Sequence, residues 1–220
     1  MMINSGSRYM QFSLFDDDNT RGPIPRRLNL PGADVVYIDN WLDKRTASDY
    51  FHHFASSLNW QQDTIKLFGK PVKIPRLQAW YGDATTLYTY SGLTMAPHPW
   101  TPALDRLRKG CEQIAKKPFN SVLANWYRHG QDSMGMHADD EPQLGAQPVI
   151  ASLTLGESRP FIFKHKETKR THRINLEHGA LLLMQGDTQR YYLHGINKTT
   201  QALGGRINLT FRYVYPAIPE

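Results

Sequence analysis

The second half of the chain contains a series of short apolar runs, and this pattern restricts the fold more than any other feature. Each run is four to nine residues long, and the segments between the runs contain Gly, Asp, Glu or Ser. Many short strands separated by turns are typical of a β-sandwich or barrel. The predicted strands are Ser121–Tyr127, Val149–Leu155, Phe161–His165, His172–Leu176, Ala180–Met184, Tyr191–His194 and Arg206–Val214.

Two stretches in the first half have the apolar spacing of helices. Thr101 and Pro102 supply an N-cap and a proline at the first helical position, which predict where the second helix begins. Helices first and strands later favour an α+β fold with a mainly β core over a parallel βαβ sheet. The apolar positions of the first helix are Ala47, Tyr50, Phe51, Phe54 and Leu58. The predicted buried positions of the second are Leu104, Leu107, Cys111 and Ile114.

Residues 1–30 are expected to be a flexible lead-in, because Thr20–Arg27 is rich in turn-forming residues and has no apolar period. A single domain is expected over 31–220, with helices and hairpins in 31–118 and the β core in 119–215. No apolar run approaches the roughly 18 residues of a membrane span. The start of the chain lacks a signal peptide's apolar stretch, and one cysteine excludes an intrachain disulfide. We therefore expect a protein of a reducing compartment with no membrane partner.

The chain is basic once its first residues are set aside. It contains 26 Lys and Arg against 20 Asp and Glu, a net charge of +6. Residues 1–20 hold one arginine and three aspartates and so carry −2, which leaves +8 for the remainder. A sequence pI of about 9.4 is typical of polyanion-binding domains. A basic protein without a nucleic-acid partner remains the alternative.

The tripeptide His137-Ala138-Asp139 is a candidate metal-binding pair. Residues i and i+2 of a strand point to the same side, so both side chains could ligate one metal. His194 is the best candidate for a third ligand. Two histidines and one carboxylate on one face form the facial triad of non-haem Fe(II) oxygenases, which leaves positions open for substrate and O₂. A surface histidine beside an acid is the alternative interpretation of this tripeptide.

The last predicted strand alternates strictly between polar and apolar residues. If its polar face is buried, its two arginines need anionic partners, and a dicarboxylate cosubstrate would supply two. Asn125 and Tyr127 share one face of their own strand and could add hydrogen bonds. An exposed basic strand face is the alternative. The polar face holds Arg206, Asn208, Thr210 and Arg212, and the apolar face holds Ile207, Leu209, Phe211 and Tyr213.

Taken together, these motifs resemble the AlkB family of Fe(II)- and 2-oxoglutarate-dependent dioxygenases. The resemblance covers about residues 35–215, including Pro75–Asp83 and Tyr88–Gly92, and favours the subgroup that repairs duplex DNA. It implies a double-stranded β-helix, a relative of the jelly roll, with a nucleotide-recognition hairpin region among the N-terminal elements. The motifs are Asn125-Trp-Tyr127, His137-x-Asp139, His194 and Arg206-x-Asn208 with Arg212.

The resemblance implies Fe(II), 2-oxoglutarate and O₂ as cofactor and cosubstrates. His137, Asp139 and His194 would be the iron ligands and the catalytic centre. Arg206, assisted by Tyr127 and Asn208, would bind the distal carboxylate of 2-oxoglutarate. Arg212 and Asn125 would hold the end nearer the iron. The implied reaction hydroxylates an N-methyl group of N1-methyladenine or N3-methylcytosine, and formaldehyde is then released from the repaired base.

The resemblance also implies contacts to a flipped base in DNA. Tyr90 would stack on the base with Tyr88 nearby, and Asp140 and Glu141 would favour a cationic lesion. Arg76 would lie near the damaged strand. Phe68, flanked by basic residues, would enter the gap left by the flipped base. Phosphate contacts are expected from the basic hairpin residues Lys164, Lys166, Lys169 and Arg170. The structural alternatives are a strand tyrosine pair, a solvated acidic turn, a buried hairpin phenylalanine and a solvated charge run.

The segment Gln11–Phe15 resembles the short peptide with which bacterial proteins bind the sliding clamp. The alternative is a strand or tail folded onto the domain. We expect a cytoplasmic protein at the nucleoid if the source is bacterial, and a nuclear one if it is eukaryotic. The same chemistry on RNA or protein, or an inactive nucleic-acid-binding module, are the alternative functions, and release of succinate from 2-oxoglutarate separates the last from the others.

Overall fold

The computed structural model describes residues 23–67, 69–86, 88–90, 93–95 and 97–216. In the first half, two strands precede a helix, and two hairpins flank a longer strand before a second helix. These elements are β1 (Pro25–Arg27), β2 (Asp34–Ile38), α1 (Lys44–Ser57), β3 (Thr64–Leu67), β4 (Lys70–Lys73), β5 (Leu77–Gly82), β6 (Tyr88–Tyr90), β7 (Leu93–Met95) and α2 (Pro102–Ala115).

The second half is built almost entirely of strands, and each strand predicted there is present with ends that differ by at most two residues. Its elements are β8 (Ser121–Tyr127), β9 (Met134–His137), a 3₁₀ turn (Pro142–Leu144), β10 (Ile150–Gly156), β11 (Arg159–His165), β12 (Thr171–Leu176), β13 (Leu181–Gln185), α3 (Thr188–Tyr191), β14 (Tyr192–Ile196) and β15 (Arg206–Arg212).

Two antiparallel sheets form the body of the protein. The larger has seven strands in the order β1-β2-β13-β10-β15-β8-β5, and the smaller has four in the order β12-β11-β14-β9. Strands from both sheets contribute to one apolar cluster that includes Ile150, Phe163 and Ile196. Helices α1 and α2 cover the other face of the larger sheet through a second cluster. The arrangement matches the predicted double-stranded β-helix.

Both predicted helices are present, with side-chain caps at their first turns. Asp43 accepts hydrogen bonds from the backbone N–H groups of Arg45 and Thr46, each at 2.9 Å, and Thr101 accepts one from Leu104 at 3.2 Å. Cys111 is buried as expected, but Ile114 is 40% exposed and Ala115 is buried in its place. Eleven residues complete about three helical turns, so Ala115 and not Ile114 lies in line with Leu104.

The fold begins earlier than the sequence pattern predicts. Pro25–Arg27 pairs with β2, and Leu28 and Leu30 are buried in the cluster between the sheets. The predicted lead-in over 1–30, and the linker interpretation of Thr20–Arg27, are therefore wrong for residues 25–30. Gln11–Phe15 lies outside the described residues. No helix within the described ranges is long and apolar enough to cross a membrane.

Candidate active site

The three candidate metal ligands come together between the two sheets. His137 is the last residue of β9, and it lies directly opposite His194 of β14 in the antiparallel register. Asp139 lies two residues past the end of β9, so the prediction that both residues of the H-x-D pair share one strand is wrong. One ligand atom from each residue nevertheless lies within 4.8 Å of the other two.

A glycine allows the two ligand-bearing strands to approach each other. The β9–β14 register shifts just after His194, where Gly195 follows. A Cβ at Gly195 would lie 2.8 Å from the Met134 carbonyl oxygen and 3.0 Å from that of Gly135. Because Cβ atoms do not approach a backbone oxygen so closely, a larger residue would push β9 and its His137 away.

Hydrogen bonding and burial favour forms of the ligands that can bind a metal. His137 Nδ1 lies 3.0 Å from the Gly135 carbonyl oxygen; because this oxygen can only accept, Nδ1 carries a proton, and in the neutral imidazole the lone pair is on Nε2. Burial lowers the pKa of His194 to about 3, so its imidazole is neutral. Burial alone would raise the pKa of Asp139, but the charged guanidinium of Arg212 is the largest opposing cause and holds this pKa below its usual range.

The donor set fits a divalent metal. Arg212 Nη2 donates to Asp139 Oδ1 at 2.6 Å, which orients the carboxylate. Asp139 Oδ2 and His194 Nδ1 are buried without a hydrogen-bond partner among the described residues. Asp139 Oδ2 also lies 3.6 Å from His194 Nε2, too far for a hydrogen bond. One carboxylate and two neutral imidazoles are the ligand set of non-haem Fe(II) sites, so His137, Asp139 and His194 could hold Fe(II).

The polar face of β15 lies inside the fold. Arg206 pairs in register with Tyr127 of β8, and Asn208 pairs with Asn125. On the opposite side, β10 contributes two hydroxyl groups: Arg206 Nη2 donates to Thr154 Oγ1 at 2.8 Å, and Asn208 Nδ2 donates to Ser152 Oγ at 2.8 Å. Arg206 is only 1% exposed. The alternative of an exposed basic strand face is therefore wrong.

Arg206 has the properties of a buried anion-binding group. Its Nε and Nη1 atoms are buried and have no hydrogen-bond partner within the part of the chain that the structure describes. Burial lowers its pKa to about 10, and the Tyr127 phenol, whose ring centroid is 5.2 Å from the guanidinium carbon, partly offsets this effect. Such a guanidinium suits a carboxylate, so Arg206 could hold the distal carboxylate of 2-oxoglutarate.

Two cavities meet at the candidate metal ligands. His137, Asp139 and Arg212 contribute to the walls of both. The inner cavity is bordered by residues of β8, β10 and β15, namely Asn125, Tyr127, Ser152, Asn208 and Thr210. The outer cavity extends past Glu141 and Trp80. This layout leaves space on two sides of the position that a metal would occupy.

Among the predicted DNA contacts whose side chains the structure describes, Glu141 and Arg76 line the outer cavity. Arg76 lines the outer cavity but is buried, and its Nε donates to Asn125 Oδ1 at 2.8 Å. Asp140 is exposed and forms an ion pair with Lys166 at 3.1 Å. The basic hairpin of β11 and β12 is present as predicted, with Lys169 and Arg170 exposed at its turn.

Three of the predicted contacts cannot be placed by their side chains. Leu67 of β3 pairs with Lys70 of β4, which confirms a hairpin at this position, but Phe68 lies outside the described residues. Tyr88 and Tyr90 lie on β6, and their side chains are outside the described part.

Sequence reasoning missed Ser152 and Thr154. Their signal is two hydroxyl residues spaced by two within the otherwise apolar Ile150–Gly156 strand.

The comparisons with known proteins agree with this geometry. The family described as the 2OG-Fe(II) oxygenase superfamily matches residues 34–212. Human DNA oxidative demethylase ALKBH2 is 35% identical over 207 residues, covering 89% of this chain and 79% of the relative. The bovine protein of that name is 41% identical over 160 residues, which span 69% of this chain and only 58% of the relative.

Two further comparisons extend the family and the fold. Human alpha-ketoglutarate-dependent dioxygenase alkB homolog 3 is 36% identical over 217 residues, covering 89% of this chain and 75% of the relative. The solved structure of OsALKBH1 matches with a TM-score of 0.63 at 18% identity, covers 86% of this chain and 100% of its own, and supports the fold alone. The chain therefore belongs to the AlkB family of the 2OG-Fe(II) oxygenase superfamily, whose cofactor and cosubstrates are Fe(II), 2-oxoglutarate and O₂.

Proposed function

We propose that this protein is an Fe(II)- and 2-oxoglutarate-dependent oxidative demethylase that repairs N-alkylated bases in DNA, with N1-methyladenine and N3-methylcytosine as substrates. The observation that carries the proposal is the position of the His–Asp–His trio where two cavities meet, one along the buried polar stripe and one past Glu141. Relatives named DNA oxidative demethylase, 32–41% identical to this chain, support DNA as the substrate.

The chain's own residues would prepare the site for the cosubstrate. Arg206 binds the distal carboxylate of 2-oxoglutarate, with Asn208 and Tyr127 alongside it. Arg212 keeps Asp139 ionised and oriented. Phe161 stacks on His194 with a centroid distance of 5.3 Å and shields this imidazole from water. When bound, iron and 2-oxoglutarate supply the oxidation of the methyl C–H bond.

Glu141 would select the lesion by its charge. N1-methyladenine and N3-methylcytosine are cationic, unlike the parent bases, so a carboxylate in the cavity stabilises them relative to undamaged DNA. Glu141 lines the outer cavity, whereas the neighbouring Asp140 is exposed and paired with Lys166. The proposal therefore assigns the charge recognition to Glu141 and not to Asp140.

The remaining DNA contacts are proposed from position and charge. A flipped base needs a stacking partner, which we assign to Tyr90 with Tyr88 nearby, and a residue that fills the gap in the duplex, which we assign to Phe68. Arg76 acts from the wall of the outer cavity. The β11–β12 hairpin carries the phosphate contacts. Gln11–Phe15 is proposed to bind a sliding clamp if the source is bacterial, and the protein to work at the nucleoid there or in the nucleus of a eukaryote.

The test measures formaldehyde and succinate released with oligonucleotides that carry one N1-methyladenine, as single-stranded DNA, duplex DNA and single-stranded RNA. We expect both products from DNA, with one formaldehyde for each succinate released above the amount formed without DNA, and neither product with His194→Ala. Glu141→Gln should slow repair of N1-methyladenine while leaving succinate release without DNA unchanged. Activity on RNA with none on either form of DNA would refute DNA as the substrate. Absence of succinate under every condition would favour the inactive nucleic-acid-binding module.

A further inference from the structure

The backbone of the carboxylate ligand is held by a residue far away in the sequence. Asp139 lies beyond the end of β9, so the strand ladder does not supply an acceptor for its N–H group. This N–H donates instead to Gln189 Oε1 at 3.0 Å, across a separation of 50 residues. Both residues are buried, Gln189 with only 2% exposure. A buried backbone donor needs such a partner.

The second end of the Gln189 amide is also bound. Its Nε2 donates to the sulfur of Met184 at 3.7 Å, and Met184 lines the inner cavity beside His194. Only this orientation of the amide gives the Asp139 N–H an acceptor, because the opposite one would place two donors together. Gln189 therefore joins the backbone of one ligand to the cavity wall beside another.

The short helix that carries Gln189 is fixed to the larger sheet. The hydroxyl of Thr188 accepts from the Asp34 backbone N–H at 3.1 Å and donates to the Gln185 carbonyl at 2.6 Å. These bonds fix α3 to β2 and to the end of β13. Because β14 follows α3 directly, the position of α3 also determines where the strand that carries His194 begins.

We propose that Gln189 is a positioning residue for the iron site: it fixes the main chain of Asp139 so that the carboxylate, bound at Oδ1 by Arg212, presents Oδ2 to the metal. Groups that orient metal ligands in this way typically contribute about 10- to 100-fold to metal affinity. The inference rests on the assignment of His137, Asp139 and His194 as the ligands.

The test compares Gln189→Met, which keeps the length of the side chain but has no oxygen acceptor, with Gln189→Glu, which retains one. Co(II) is titrated into the metal-free proteins and binding is followed by its visible absorption. We expect the dissociation constant to rise about 10- to 100-fold in Gln189→Met and by no more than about threefold in Gln189→Glu. The extra negative charge of glutamate would favour a cation, so weak binding by that variant could not be blamed on charge.

The matched control is Gln147→Met. Gln147 is exposed, and its amide donates to Asp187 at the start of α3 at 3.1 Å without touching Asp139. It should bind Co(II) like the original protein. His194→Ala should bind far more weakly, and normal binding by that variant would show that the ligand assignment itself is wrong.

If His194→Ala binds Co(II) weakly, as expected, the ligand assignment stands. Three outcomes would then overturn the role of Gln189. The first is a Gln189→Met protein with a lower melting temperature but unchanged Co(II) affinity, which would make Gln189 merely structural. The second is equal weakening in Gln147→Met. If Gln189→Met does not fold, Gln189→Glu decides, and a tenfold or greater loss of affinity in that folded variant is the third.

Discussion

Replacing Thr154 by valine removes one hydrogen bond from the buried Arg206 and leaves the shape of the core nearly unchanged. The Thr154 hydroxyl accepts from Arg206 Nη2 at 2.8 Å, and both side chains are almost fully buried. A hydrogen bond to a charged group contributes about 1.5–3 kcal/mol. At about 2–4 °C per kcal/mol for a chain of this size, the melting temperature should fall by roughly 3–12 °C.

The same substitution should weaken the binding of 2-oxoglutarate more than the binding of DNA. Arg206 Nε and Nη1 have no partner in the described residues, so Thr154 helps to hold the guanidinium ready for a carboxylate. We expect the half-saturating 2-oxoglutarate concentration to rise about 3- to 30-fold. The rest of the lost hydrogen-bond energy should appear as the lower stability of the fold. Succinate release against 2-oxoglutarate concentration measures this change, and oligonucleotide affinity should be unaffected.

Thr171→Val, at the exposed start of β12, is the matched control and should stay within about 0.5 kcal/mol of the original stability. If Thr154→Val leaves both the melting temperature and the 2-oxoglutarate dependence unchanged, Arg206 is not held by Thr154. If stability falls but the 2-oxoglutarate dependence does not move, Arg206 is a structural residue and the distal carboxylate binds elsewhere.

Three further predictions address the ligands and the fold. His194→Ala should abolish demethylation but leave oligonucleotide affinity, measured by fluorescence anisotropy, unchanged. The reason is that phosphate contacts and metal ligands are separate groups. Full turnover by this variant would show that His194 is not a ligand. Arg212→Lys should raise the half-saturating Fe(II) and 2-oxoglutarate concentrations about tenfold or more, because an ammonium cannot form the parallel bonds of a guanidinium, and unchanged values would refute its role. Burial acts to raise the pKa of Asp132, but hydrogen bonds from Arg128 outweigh burial and lower this pKa. The ionised Asp132 therefore stabilises the fold above the unfolded-state pKa of about 3.9, and this stabilisation is lost as the pH falls through the lower pKa of the folded state. Urea unfolding should therefore show Asp132→Asn to be less stable at pH 7, with a difference that shrinks below about pH 4; a constant difference would contradict the assignment.

Local sequence patterns determined much of this protein. The period-two alternation of Arg206–Arg212 indicates which side chains share a face, and the register confirms it. Apolar spacing was enough to predict both long helices, and the Thr101 cap also predicted where the second begins, because these signals act within a few residues. The presence of His137, Asp139 and His194 in one candidate site also followed from the sequence, through the motif and the family that it resembles.

Only the tertiary structure decided how those residues meet. Asp139 lies past its strand and is held by Gln189, 50 residues later, and the hydroxyl acceptor of Arg206 comes from Thr154, 52 residues earlier. Tyr213, predicted on the apolar face of this strand, lies just past the end of β15 at Arg212 and is 36% exposed. Local periodicity indicates which face a residue occupies, but strand register, strand ends and loop paths depend on packing between distant segments. The sequence by itself therefore determined the faces and the chemistry of the site, whereas its hydrogen-bond partners were decided by the assembled sheets.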